Sequence, residues 1–179
     1  SPRRGGRGRG RAKRKPKAKA DVKTQTLHAL LCRIGHYLHV LEMKRDFSVF
    51  EITEMIEDEE TDWGDVPVVA VLDAWTELQN GSRGLFMCVE VDPDGDGDPE
   101  KDIYRSTHLT FQEFFGAKQC VKDARAAESL DDCIDETFGS TPNPWLREVL
   151  LMTTEMLSGE EFLRVAMYFL EADDGSGAA

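Results

Sequence analysis

The chain has 179 residues, is 40% hydrophobic and carries a formal charge of −12. That is enough for one average domain, or a small domain with a helical appendage, and no apolar run approaches a membrane span. The charge is unevenly placed: residues 1–20 hold ten Lys/Arg and no acid, so the remaining body sets twelve Lys/Arg against all thirty-four Asp/Glu. The four cysteines (Cys32, Cys88, Cys120, Cys133) show no CxxC spacing and follow no apolar leader. This argues against a disulfide framework and for a reducing compartment, cytoplasmic by default and nuclear as the other option. The chain opens on Ser rather than Met, as expected of a fragment or a processed product.

The first segment, SPRRGGRGRGRAKRKPKAKA, has neither apolar periodicity nor an aromatic residue, and composition predicts a disordered arm over 1–20. Its cations, Arg3, Arg4, Arg7, Arg9, Arg11, Lys13, Arg14, Lys15 and Lys17, are candidates for binding a polyanion with strong salt dependence, or for folding back on the acidic body. RRGGRGRGR resembles arginine-glycine RNA-binding tracts, and KRKPK resembles a nuclear import signal.

From Val22 the pattern is helical. Leu27, Leu31, Ile34, Leu38 and Leu41 recur at three- and four-residue steps, with Leu30 widening the stripe. A second helix comes next, with Ser48 as its cap, Phe47 as a staple, and Val49, Ile52, Met55 and Ile56 as its buried side. A third runs through PVVAVLDAWTELQ, with Asp65 as cap, Pro67 in the first turn and Asn80-Gly81 as the stop. The period then changes. GLFMCVEV (84–91) is rich in β-formers, DPDGDGDPEK is turn chemistry, and DIYRST (102–107) is the return strand of a hairpin. Three helices followed by a β-hairpin make a mainly α chain of winged-helix type over 22–109, the hairpin being the wing.

Thr110-Phe-Gln-Glu113 has the form of a capping box, with Leu109 and Phe114 placed for a staple, so a helix is expected to open directly after the wing. A shorter helix is expected over 129–137, and a pair over 141–157 and 158–172, the latter opened by the box Ser158…Glu161. Together they would form a small helical bundle segment over 110–172, ahead of a frayed tail at 173–179. The predicted core is Leu27, Leu31, Ile34, Ile52, Val69, Leu72, Trp75, Phe111 and Phe114.

Several motifs invite chemistry. Asp92, Asp94, Asp96 and Gly97 match the first half of a calcium loop, but Ile103 stands where the bidentate Glu belongs and the flanks are strand-like. His28, Cys32, His36 and His39 share a stripe without completing a closed zinc set, so no metal site is expected. Asp73 and Glu77 on the third helix, and the acidic wing, oppose DNA reading by the folded body. There is no GxxxxGK[ST], GxSxG or HExxH, so the chain is not expected to be an enzyme.

The stretch IYRSTHLTFQEFFGAK (103–118) resembles the end of the winged-helix domain in NACHT-type STAND signalling ATPases, the class of the NOD-like receptors. Tyr104, His108, Leu109, Thr110, Phe111, Gln112, Glu113, Phe114 and Ala117 match its pattern, while Ser106 and Gly116 depart from it. LHALLCRIGHYLHVLEMKRDFSVFEITEMI and WLREVLLMTTEML (145–157) extend the likeness to about residues 25–172. The resemblance implies a regulatory module that docks on an ATPase core, supplied in cis or in trans. It also implies that His108 contacts the β-phosphate of ADP held by that core. This chain has no phosphate-binding loop, so it needs no cofactor of its own and ADP/ATP belongs to the parent protein. A second reading, from another class, is a nucleic-acid-associated protein that binds RNA through its arm while the acidic domain recruits partners. No membrane partner is expected.

Overall fold

The structure, a computed structural model, describes residues 22–80, 84–91, 93–139 and 143–173. The basic arm with its nine candidate cations, the Gly81 stop, Asp92 of the wing and nearly all of the tail lie outside the described residues.

Helix α1 (Val22–His36) buries Leu27, Leu30, Leu31 and Ile34, as its stripe predicts. The backbone then widens into a π-turn over Tyr37–Leu41, closed by Glu42 N–H donating to Tyr37 O (2.9 Å). Widening a helix by one residue per turn rotates the next residues off the stripe. Leu38 stays buried, but Leu41, expected on the same apolar stripe, is 61% exposed.

Next comes a strand that the sequence pattern does not announce. β1 (Asp46–Ser48) pairs antiparallel with the later strand β3 (Ile103–Ser106), Phe47 opposite Tyr104. Phe47 is therefore a strand residue with its ring in the core, not a staple. The ring stands edge-on to Phe86 (5.3 Å between centroids) and packs on Trp75. Ser48 ends the strand and at once caps α2 (Val49–Glu57). Its Oγ accepts from Glu51 N–H at 3.1 Å, and the Glu51 carboxylate accepts from Ser48 N–H at 2.8 Å. Helix α3 (Val68–Gln79) starts after Pro67, which occupies the cap position; Asp65 is not the cap. Val71, Ala74, Trp75 and Leu78 of α3 face inward, Leu72 is half-buried, and Val69, expected inside, is 70% exposed.

β2 (Phe86–Glu90) and β3 form the wing, with Cys88 opposite Tyr104 and an irregularity before Glu90. The sheet is thus three-stranded, in the order β1-β3-β2, rather than a two-stranded hairpin. Helix, strand, two helices and a strand–wing–strand return give the winged-helix arrangement. At register pair Asp46–Arg105 the guanidinium clamps the two strands with bonds of 2.5 and 2.7 Å, an exposed pair that water and salt screen. In the acidic wing tip Lys101 pairs with Asp94 (3.1 Å) and Asp96. The ammonium sits where a calcium-loop reading would place a metal ion.

Past the wing, α4 (Leu109–Ala126) crosses α1 backbone to backbone at Gly35 and Gly116. A Cβ added at Gly35 would lie 2.7 Å from Gly116 N and 2.8 Å from Gln112 O. The far half of α4 carries a second core, completed by α5 (Leu130–Phe138), α6 (Arg147–Met156) and α7 (Gly159–Asp173). The Ser158…Glu161 box opens α7 as expected, Ser158 N–H reaching the Glu161 carboxylate at 2.6 Å. Ala117, Cys120, Ile134, Val149 and Val165 are central to this cluster. Val40, from the π-turn that follows α1, also belongs to it, while Phe115 of α4 packs on the first cluster. The two cores therefore interlock through this turn and α4.

Candidate functional site

The chain leaves β3 under tight local control. Thr107 donates both its N–H (2.9 Å) and its hydroxyl (3.1 Å) to Leu85 O, and Ser106 Oγ donates to His108 O at 2.9 Å. These bonds fix residue 108 in extended backbone (φ −135, ψ 126), and His108 becomes the N-cap of α4 without offering a side-chain cap. The helix thus begins at Leu109, and the expected Thr110…Glu113 box does not form. Thr110 already lies inside the first turn, where its hydroxyl no longer stands across from Glu113 N–H.

The His108 ring is exposed, and stands edge-on to Phe111 with 5.4 Å between centroids. Phe111 and Phe114, expected in the core, are 40% and 36% exposed. Three phenylalanines within five residues span more than one helical face, and Phe115 alone points inward, edge-on to His28 at 6.1 Å. The outer surface of the first turns of α4 therefore shows an imidazole and two phenyl rings, with Lys118 Nζ over Phe114 at 5.2 Å. No acid lies in the first turn. A helix start without carboxylates leaves the positive end of the dipole unopposed, the surroundings in which an imidazole N–H meets an anionic oxygen.

Gln112 and Glu113 point into the body instead. Gln112 Nε2 donates to Lys44 O (2.6 Å), which ties α4 to the loop ahead of β1, while its Oε1 is buried without a partner. Glu113 is buried, and burial, helped by the nearby Glu148, raises its carboxyl above the ordinary value against the opposing pull of Arg45. An acid–base pair of His108 with Glu113 is not assembled, since one side chain faces out and the other in.

Of the helix-1 stripe, His39 has the clearest role, and sequence reasoning missed it. It is fully buried and clasped to Trp145, which lies in a 3₁₀ turn (Pro144–Leu146) leading into α6. His39 Nε2–H donates to Trp145 O (3.0 Å), Trp145 Nε1–H donates to His39 O (2.9 Å), and the rings stack at 4.7 Å. Burial depresses the His39 pKa; the bond to Trp145 works against this and Arg45, whose guanidinium lies over the indole, adds to it. The partners are 106 residues apart, so no local pattern could have shown the pair. Among the described residues no group of three or more His, Cys, Asp or Glu side chains is arranged to hold a metal ion, and no helix is long and apolar enough to cross a membrane.

Compared with known proteins, the chain matches no family model, no curated protein and no solved structure.

Proposed function

We propose that this chain is the regulatory winged-helix and helical module of a NACHT-type signalling ATPase. In this reading it docks on the ATPase core and stabilises its ADP-bound closed state. The observation that carries the proposal is the exposed His108 ring at the start of α4, beside exposed Phe111 and Phe114, on the motif that resembles that family. An imidazole in this position can donate one hydrogen bond to a phosphate oxygen, and the two phenyl rings supply apolar area for the surrounding contact. The remaining phosphate ligands would come from the core, because the chain has no phosphate-binding loop of its own. A ligand biases a two-state equilibrium only by binding one state better than the other. His108 provides such a bias if it meets the nucleotide in the closed state alone.

The test joins the chain to the ATPase core read from the coding sequence upstream, identified there by GxxxxGK[ST]. ADP that survives gel filtration is then measured for the parent and for His108→Ala. One hydrogen bond to a charged group contributes ~1.5–3 kcal/mol, so retention should weaken by about tenfold or more, with unchanged thermal stability. Equal retention by parent and variant would sink the reading; an upstream sequence without such a loop would sink its cis form.

A further inference from the structure

A cleft of about 540 Å³ opens between α1 and α4, away from His108; its walls include His28, Cys32, Arg33, Trp63, Lys118 and Lys122. Its charge stands out from the rest of the body. Eleven Lys/Arg fall within the described residues. Six of them pair with carboxylates: Lys23 with Glu77, Lys44 with Glu51, Lys101 with Asp94 and Asp96, Arg105 with Asp46, Arg125 with Glu161, and Arg164 with Asp131. Three of the other five, Arg33, Lys118 and Lys122, line this one cleft. Arg33 donates only to a backbone oxygen, Asp62 O at 2.9 Å, and its Nε–H is buried without a partner. The two nearby carboxylates are engaged elsewhere, Asp62 by Gly64 N–H (2.7 Å) and Asp123 by Gln119 (2.6 Å).

The apolar part of the wall is Trp63, Ala29 and Cys32. Cys32 Sγ lies 3.7 Å from His28 Nδ1. Burial pushes the thiol up to about 11 despite the surrounding Lys118, Lys122 and Arg33, and burial with Lys118 lowers the His28 pKa. The pair is thus neutral near pH 7. The thiol donates to Nδ1, which leaves the imidazole with Nε2–H as a further donor.

We propose that this cleft binds a small organic anion: a phosphate or carboxylate, met by Arg33, Lys118 and Lys122, on an aromatic or aliphatic body that packs against Trp63 and Ala29. On an otherwise acidic surface, unpaired cations gathered in a concavity focus the field that draws an anion. A volume of several hundred Å³ with apolar walls and a few convergent polar groups is the usual form of a small-ligand site. The proposal does not depend on the role of His108.

The test titrates the isotope-labelled full chain with phenyl phosphate, followed by residue-resolved NMR, with benzyl alcohol as the uncharged control. Saturable shifts are expected at His28, Trp63, Lys118 and Lys122, separate from those of the basic arm. The double substitution Lys118→Gln/Lys122→Gln should raise the dissociation constant at least tenfold. If the double variant loses its native spectrum, Lys122→Gln alone, at an exposed side chain without a hydrogen bond among the described residues, should raise it about threefold. Shifts confined to residues 1–20, an equal response to benzyl alcohol, or binding unchanged in the variants would overturn the proposal.

Discussion

Three places in this chain carry the same helix-start signal, Ser/Thr-x-x-Glu; Ser48 and Ser158 use it and Thr110 does not. At Ser48 the strand β1 delivers the residue in extended backbone (φ −88, ψ 161), and both reciprocal bonds with Glu51 form. At Thr110 the backbone is already helical, because the bonds from Thr107 to Leu85 and from Ser106 to His108 O fix the turn two residues earlier. His108 takes the cap position, and Glu113 is carried inward toward Glu148 and Arg45. A cap motif states what a helix start could do; the chain entering it decides whether it does. At Thr110 the result is a helix start whose cap residue, the exposed His108, offers no side-chain bond.

The comparison breaks most severely where α4 is pinned to α1. Gly35→Ala places a Cβ within 3 Å of Gly116 N, Gln112 O and Phe115 Cβ, two of them backbone atoms that cannot rotate away. The helices must separate, and overpacking of this kind costs about 3 kcal/mol or more. Urea unfolding should show that loss. Gly116→Ala, whose nearest contact is 3.2 Å from Gly35 O, should cost less. If Gly35→Ala were neutral, the Gly–Gly crossing would not be what holds the start of α4 in place.

Much of this was legible in the sequence, and the failures have physical causes. The stripe of α1, the inward residues of α2, the wing and the Ser158 box arise from local periodicity and turn chemistry, and the structure contains them. The strand β1 was hidden because it is three residues long and its partner β3 lies more than fifty residues away; Ser48, which ends it, advertises only its second role as a cap. Phe111 and Phe114 were misplaced because hydrophobicity is not burial, and only Phe115 lies on the face that meets α1. Val69 failed in the same way on α3. Leu41 was lost to the π-turn, which no apolar spacing announces. The His39–Trp145 clasp and the cationic cleft depend on residues brought together only by the fold.

The caps themselves offer a smaller and sharper contrast. Ser48→Ala removes a hydroxyl that accepts from Glu51 N–H at 3.1 Å and should destabilise the protein by ~1 kcal/mol, the usual cost of losing an N-cap. Thr110→Ala, exposed and inside the first turn, should change stability by no more than ~0.5 kcal/mol, as for surface positions away from special features. Paired urea titrations would decide it. Equal losses at the two positions would mean that Thr110 caps in solution after all.

The finest test tracks the two glutamates through acid. At Glu51 burial works to raise the pKa, but Lys44 and the backbone and hydroxyl of Ser48 outweigh it and hold the carboxyl below 4.5. Its stabilising contribution is therefore complete above that value and is lost as pH falls through the lower, folded value. At Glu113 burial and Glu148 hold the carboxyl above 4.5. Its penalty is therefore absent below 4.5, grows as pH rises from there through the folded value, and is constant beyond it. Glu113→Gln should accordingly stabilise the protein at neutral pH by on the order of 0.5 kcal/mol and lose that advantage in acid. Glu51→Gln should destabilise at neutral pH and converge on the parent in acid. Unfolding free energies of the three proteins between about pH 3 and pH 7 would show opposite slopes for the two substitutions. Parallel slopes would mean that the second glutamate had found a cap or a cation like the first, and that the two helix starts differ less than their geometry says.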